Sequence, residues 1–215
     1  LMTVNCATIA TACGIRLNIF GHPFLYRAKK YVWKKLFGSH VVERFEMFLP
    51  SRKSILDIGC GLGDITVTMN NHRQNFVVGT DLSTHLLKYA NKHNRVDGYV
   101  LSDASRLPFM NGTFDLVTML DLLHHTLEPE KIVREAKRVS NRYVVVAEIG
   151  VFENRMIRPI ENLWLKITDG GFSYFPRRRW KAIVGGEIVR EERYGALKRT
   201  CLLVAECRTI YPGVT

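Results

Sequence analysis

The sequence predicts an α/β fold, an open and mostly parallel sheet with helices on both faces, and three observations carry that expectation. From Ser54 onward short apolar segments alternate with amphipathic ones, the mark of strand–helix repeats. The first apolar segment, Ile55-Leu56-Asp57-Ile58, runs into Gly59-Cys60-Gly61-Leu62-Gly63-Asp64, a glycine turn leading from a strand into a helix. The second, Phe76-Val77-Val78-Gly79-Thr80, ends in Asp81, eighteen residues beyond Gly63.

The glycine turn has a physical purpose. Glycine takes positive φ and lets bare backbone approach a ligand. The helix start behind it offers unpaired N–H groups. Dinucleotide cradles use the spacing Gly-x-Gly-x-x-Gly, whereas this turn reads Gly-x-Gly-x-Gly, two residues after Asp57. A carboxylate inside the turn repels a pyrophosphate and suits a cationic or ammonium group, which argues against an NAD-dependent dehydrogenase. Asp81 stands where this layout places the acid that holds ribose hydroxyls.

The elements follow in order. Strand one spans 54–58, and a helix from Asp64 carries Ile65, Val67 and Met69 and ends near Asn71. Strand two closes at Asp81, and Ser83 caps a helix with Leu86, Leu87 and Ala90 on one face. Strand three is 98–101 and strand four 114–119. Pro129 opens a helix with Ile132, Val133, Ala136 and Val139 at core spacing. Strand five, 143–147, is nearly continuously apolar, as a central parallel strand is. A cap insertion over 151–176 follows, with a helix through Met156, Ile160, Trp164 and Ile167, then Gly170-Gly171 and an aromatic loop. A last helix at 180–184 leads to a closing hairpin, 188–194 and 201–207, whose final strand is antiparallel.

Ahead of strand one, residues 1–22 show no period. Pro23 to Phe37 reads as an amphipathic helix among basic residues, Gly38 as its stop, and Ser39 as the cap of a second helix through Val41, Val42, Phe45 and Phe48. The chain divides into an N-terminal segment with cap helices, 1–50, and one domain, 51–215.

Composition narrows the classes. With 215 residues, 47% hydrophobic and 24% charged, the chain is ordinary for a folded protein. No apolar run approaches the roughly 20 residues of a membrane span, and Leu1 to Phe20 lacks a basic leader, so the expectation is cytoplasmic. Five scattered cysteines without a Cys-x-x-Cys pair fit neither a disulfide framework nor a zinc site, and no metal is expected. Cys201 and Cys207, six apart, face one side of a strand. The net charge of +11 favours anionic partners.

The Asp-x-Gly-x-Gly-x-Gly turn, Asp81, the run Ser102-Asp103-Ala104 with Leu107-Pro108-Phe109 behind it, and strand four together resemble the class I S-adenosylmethionine (SAM)-dependent methyltransferases, close to the small-molecule type 11 group. The resemblance covers residues 54 to 207. It implies a Rossmann-like, seven-stranded, mostly parallel sheet with an antiparallel last strand and an N-terminal helical cap. The implied cofactor is SAM, with S-adenosylhomocysteine as product. Asp57, Gly59, Cys60, Gly61 and Gly63 would form the methionine and ribose cradle. Asp81 and Leu82 would meet the ribose, Asp103 and Ala104 the adenine, and Asp121 the amino-acid part.

His124 and His125, after strand four, are the candidates for a general base where the acceptor must lose a proton. The Asn/Asp-Pro-Pro-Tyr motif of nucleic-acid amino methyltransferases is absent, which argues against adenine or glutamine N-methylation. The expected acceptor is a small molecule or lipid-like. An RNA acceptor is the alternative, drawn from the charge and from Arg177-Arg178-Arg179-Trp180-Lys181, where Trp180 either stacks on a base, sits at a lipid headgroup or faces the core. A catalytically silent SAM-fold interaction protein is the other.

Overall fold

A computed structural model describes residues 41–45, 48, 53–71, 74–194 and 199–207. The short helix α1 (Val41–Phe45) precedes β1 (Ser54–Ile58), α2 (Thr66–Asn71), β2 (Phe76–Asp81), α3 (Thr84–His93) and β3 (Gly98–Leu101). Then come β4 (Phe114–Leu120), a 3-10 turn at Leu123–His125, α4 (Pro129–Val139) and β5 (Ser140–Ile149). The chain closes with α5 (Arg158–Thr168), α6 (Arg177–Val184), β6 (Glu187–Tyr194) and β7 (Thr200–Glu206). The helix expected over 23–37, Gly38, Ser39, Cys6 and Cys13 lie outside the described residues.

The seven strands form one sheet in the order β3-β2-β1-β4-β5-β7-β6. Strands β1 to β5 pair in parallel, and β7 runs antiparallel between β5 and β6. Both faces are covered, and the period of two sorts the side chains. Leu56, Val78, Val117, Val144 and Val146 pack on one face with Ile132 and Val133 of α4 and Trp180 and Ile183 of α6. Ile55, Val77, Leu116 and Val145 pack on the other with Met69 of α2. That double burial explains why the inner strands read as apolar runs.

Several boundaries differ from expectation by a residue or more, and three of them have a local reason. α2 begins at Thr66, because the Thr66 hydroxyl turns inward to Asp57 and the Val67 N–H reaches back to the Gly63 carbonyl at 3.0 Å. β5 extends to Ile149, because β7 pairs along it from Tyr143↔Glu206 to Ile149↔Thr200. α6 starts at Arg177, directly after Pro176 in its extended conformation.

Trp180 is fully buried, donates its indole N–H to the Ile149 carbonyl at 3.0 Å and meets the Phe175 ring edge-on at 5.1 Å. Neither base stacking nor a headgroup contact is open to it. Cys201 is buried in the same cluster, and Cys207 packs against it, as the even spacing anticipated.

Replacing Gly63 should show how tightly the turn is held. Its φ is +76°, and an added Cβ would collide with the Tyr99 hydroxyl, which is itself bonded to the Asn94 carbonyl at 2.6 Å. Gly63→Ala should lower stability by about 1–3 kcal/mol, read as a shift of the urea unfolding midpoint.

Candidate cofactor cradle and its mouth

The glycine turn follows β1, whose neighbours are β2 on one side and β4 on the other. Gly59, Gly61 and Gly63 all have positive φ, at 75°, 57° and 76°. The Gly59 and Cys60 N–H groups donate to the Thr80 carbonyl at 2.7 and 2.9 Å, which seats the turn against the end of β2. Asp81 lies across this junction. Its carboxylate accepts from the Gly61 N–H at 2.9 Å and from the Ser83 N–H at 2.8 Å.

Asp57 sits deeper. It is buried, and its two oxygens accept from the hydroxyls of Thr66 at 2.6 Å and Thr118 at 2.8 Å. These bonds tie β1 to β4 and to the start of α2. The acid at the turn therefore supports the cradle from beneath, and its oxygens are already occupied by the protein's own donors.

Leu82 and Asp103 are exposed beside the turn, with Ala104 half-buried. Asp103 accepts from the Ser105 N–H at 2.8 Å, which closes the turn after β3. The Ser102 hydroxyl is buried with no hydrogen-bond partner among the described residues, a polar group that a ligand at this strand end would satisfy. On the far side, Asp121 is exposed and has a φ of +54°, uncommon for a residue other than glycine. Acids thus follow the ends of β2, β3 and β4 around the turn that follows β1, at the carboxyl edge where open sheets bind ligands.

The two adjacent histidines have different surroundings. His124 is buried and His125 exposed. His124 Nδ1 lies 2.6 Å from a Glu148 carboxylate oxygen, and Nε2 lies 2.8 Å from Asp169. Burial pulls the His124 pKa down, but the Glu148 and Asp169 carboxylates outweigh it and hold it at about 10. At neutral pH this ring is an imidazolium, with no lone pair to take a proton from an acceptor. Asp169 also accepts from the Tyr174 hydroxyl at 2.8 Å. Nitrogens of both histidines and an oxygen of Asp169 lie within 4.8 Å of one another.

Glu148 and Asn94 are the residues that sequence reasoning missed. Glu148 is fully buried at the end of β5 and accepts from the N–H groups of Leu122 and Leu123 as well as from His124. A lone acid closing an apolar strand was the available signal. Asn94 caps α3 and donates to the Leu62 carbonyl at 2.7 Å and to Asp64 at 2.9 Å, pinning the glycine turn from outside. Nothing local marks it.

Two outcomes follow from this network. Glu148→Ala leaves a buried imidazolium and two backbone donors unanswered and should cost about 3–5 kcal/mol in chemical denaturation. The His124 pKa is raised on folding, so its stabilisation is complete below about pH 6.5 and is lost as pH climbs towards about 10. Unfolding midpoints measured across that window should fall with pH in the wild type and fall less in His124→Gln.

Comparison with known proteins agrees with this geometry. Residues 56–143 match the methyltransferase domain family. Norajmaline N-methyltransferase of Rauvolfia serpentina is 34% identical over 99 residues, 42% of this chain and 34% of that protein. Malonyl-[acyl-carrier protein] O-methyltransferase of Legionella pneumophila is 32% identical over 112 residues, 50% of this chain and 39% of that protein. The chain thus spans between a third and two fifths of the length of these curated relatives. The crystal structure of a SAM-dependent methyltransferase from Aquifex aeolicus superposes with a TM-score of 0.61 at 21% identity, covering 84% of this chain and 97% of that one, which shows the shared fold. The matched residues 56–143 lie in a sheet of this order and carry the glycine turn after β1, and the likeness to the methyltransferase domain family rests on this stretch.

Proposed function

We propose that the protein is an enzyme that binds SAM in the glycine cradle and transfers its methyl group to a small-molecule or lipid-like acceptor. One observation carries this reading above the others: Asp81 bridges the glycine turn to the start of α3, with Leu82 and Asp103 exposed beside it. An acid held there by two backbone N–H groups is positioned to accept from a ribose diol. Leu122 packs against Gly59, where an added Cβ would strike it at 2.7 Å, and Tyr99 packs against Gly63, so these glycines let the turn sit tightly on its neighbours. Asp121, across the turn and three residues before His124, suits an ammonium group.

SAM supplies a methyl group already activated on a sulfonium, so the chain's task is alignment, worth about 7–11 kcal/mol in the best cases. Where an acceptor must lose a proton, His125 takes that role, since it is exposed at the mouth while His124 is locked as a cation. The acceptor would lie between the cradle and the insertion over 151–176. The aromatic loop of that insertion reaches the mouth through the Phe172 N–H, which donates to the His124 carbonyl at 2.7 Å.

The RNA alternative loses its stacking residue with the burial of Trp180. Its basic run is also engaged: Arg177 and Lys181 pair with Glu191, Arg178 with Glu153, and Arg179 with Glu130.

Calorimetric titration tests the cofactor. S-adenosylhomocysteine should bind and NAD should not, and Asp81→Ala should weaken the former by about tenfold to a hundredfold, the worth of hydrogen bonds to a charged acceptor. A folded wild-type protein that binds neither would instead support the catalytically silent interaction protein.

A further inference from the structure

Helix α6 begins with charge of the wrong sign for its own dipole. The start of a helix carries unpaired N–H groups and a partial positive charge, which acids and anions stabilise. The first turn of α6 is instead Arg177-Arg178-Arg179, with no acid in it and no side chain capping it behind Pro176. Arg177 is taken up by Glu191. Glu153 meets Nε of Arg178 at 3.2 Å, and Glu130 meets one terminal nitrogen of Arg179 at 2.8 Å. Each of these two guanidinium forks keeps further N–H groups for another acceptor. All four side chains are well exposed, where such pairs are weak.

A cleft of about 580 Å³ lies between this helix start and α5. Of the eight residues that line it, three are Arg158, Arg178 and Arg179, and none is an acid. Arg158 comes from the start of α5 and is half-buried, and no acid among the described residues pairs with it. Asn162, one turn further along α5, has a buried amide oxygen with no hydrogen-bond partner among the described residues. Buried polar groups are nearly always bonded, and an amide can turn either its oxygen or its NH₂ to a ligand. Phe175 adds an apolar wall, with the Arg179 guanidinium 5.7 Å above its ring.

We infer that the cleft between α5 and α6 is a binding site for a phosphate monoester of a small organic molecule. A phosphate dianion with three acceptor oxygens matches three guanidinium forks beside an uncapped helix start. The volume is that of a small-molecule site rather than of a lone phosphate, and Phe175 offers the organic part an apolar surface. The site is separate from the cradle: no residue of the glycine turn lines it, so it stands whether or not SAM binds there. Tyr174 ties it to the histidine pair, since it lines the cleft, stacks on the His124 ring at 5.2 Å and bonds to Asp169.

Calorimetric titration of the full chain with phenyl phosphate, benzoate, inorganic phosphate and phenol tests the site, with and without S-adenosylhomocysteine. Phenyl phosphate should bind about tenfold or more tightly than benzoate or inorganic phosphate, and phenol should not bind. Arg158→Gln should weaken phenyl phosphate by about tenfold, the worth of one charge-assisted hydrogen bond. Ala182→Phe, which fills the cleft from α6 without touching its charge, should weaken it by a similar factor. Lys92→Gln, which removes an exposed cation from α3, should leave it unchanged. All three variants should keep the wild-type unfolding midpoint. No binding of phenyl phosphate by the wild type, binding that survives both Arg158→Gln and Ala182→Phe, or an equal loss in Lys92→Gln would overturn the site. Displacement of phenyl phosphate by a single-stranded RNA oligonucleotide that binds more tightly would overturn the small-molecule assignment.

Discussion

Glu148 is the constraint on which the functional end of this molecule depends. A carboxylate with no solvent contact must be answered by donors, and three answer it: two backbone N–H groups after β4 and the ring of His124. This fixes the backbone that leaves β4 and sets Asp121, Leu122 and the histidine pair at one edge of the cradle. Through His124 the charge network continues to Asp169 at the end of α5 and on to Tyr174. One buried acid therefore couples the sheet, the mouth of the site and the cap.

The cradle shows the same economy. Asp57 and Asp81 sit on neighbouring strands, in sequence contexts that look alike, yet they do different things. Asp57 is directed inward, satisfied by two threonine hydroxyls, and holds strand to helix. Asp81 is directed along the carboxyl edge, held by backbone N–H groups, with a partly exposed side chain. Burial sets the two apart, because a buried carboxylate needs its partners within the fold while an edge carboxylate can exchange a protein donor for a ligand's hydroxyl.

The cap combines the two themes. Its inner surface pairs Glu161 with Arg199 and packs Leu165 with Ile149, Val151 and Tyr174, while Ile160, Leu163 and Ile167 are exposed on its outer side. A helix whose hydrophobic face pointed to the core would need no ion pair to anchor it.

How much of this the sequence determined can be told from particular residues. Alternating apolar segments, the glycine turn and the acid at Asp81 specified the parallel sheet and the cradle, because strand period, glycine backbone freedom and carboxyl-edge placement are local properties. The closing hairpin was legible from its two strand segments, while the insertion of β7 between β5 and β6 is a pairing across distant segments that the structure shows. The roles of individual charged and aromatic groups were not. Trp180 reads equally as a surface or a core residue until α6 packs on the sheet, and His124 reads as a base until Glu148 and Asp169, 24 and 45 positions further along the chain, close on it. The apolar spacing of α5 was visible as a period, but which face it turned outward depended on Glu161 finding Arg199. Local sequence determines where a side chain sits on its element; only tertiary packing brings the partners from distant segments that decide its charge, its burial and its access to a ligand.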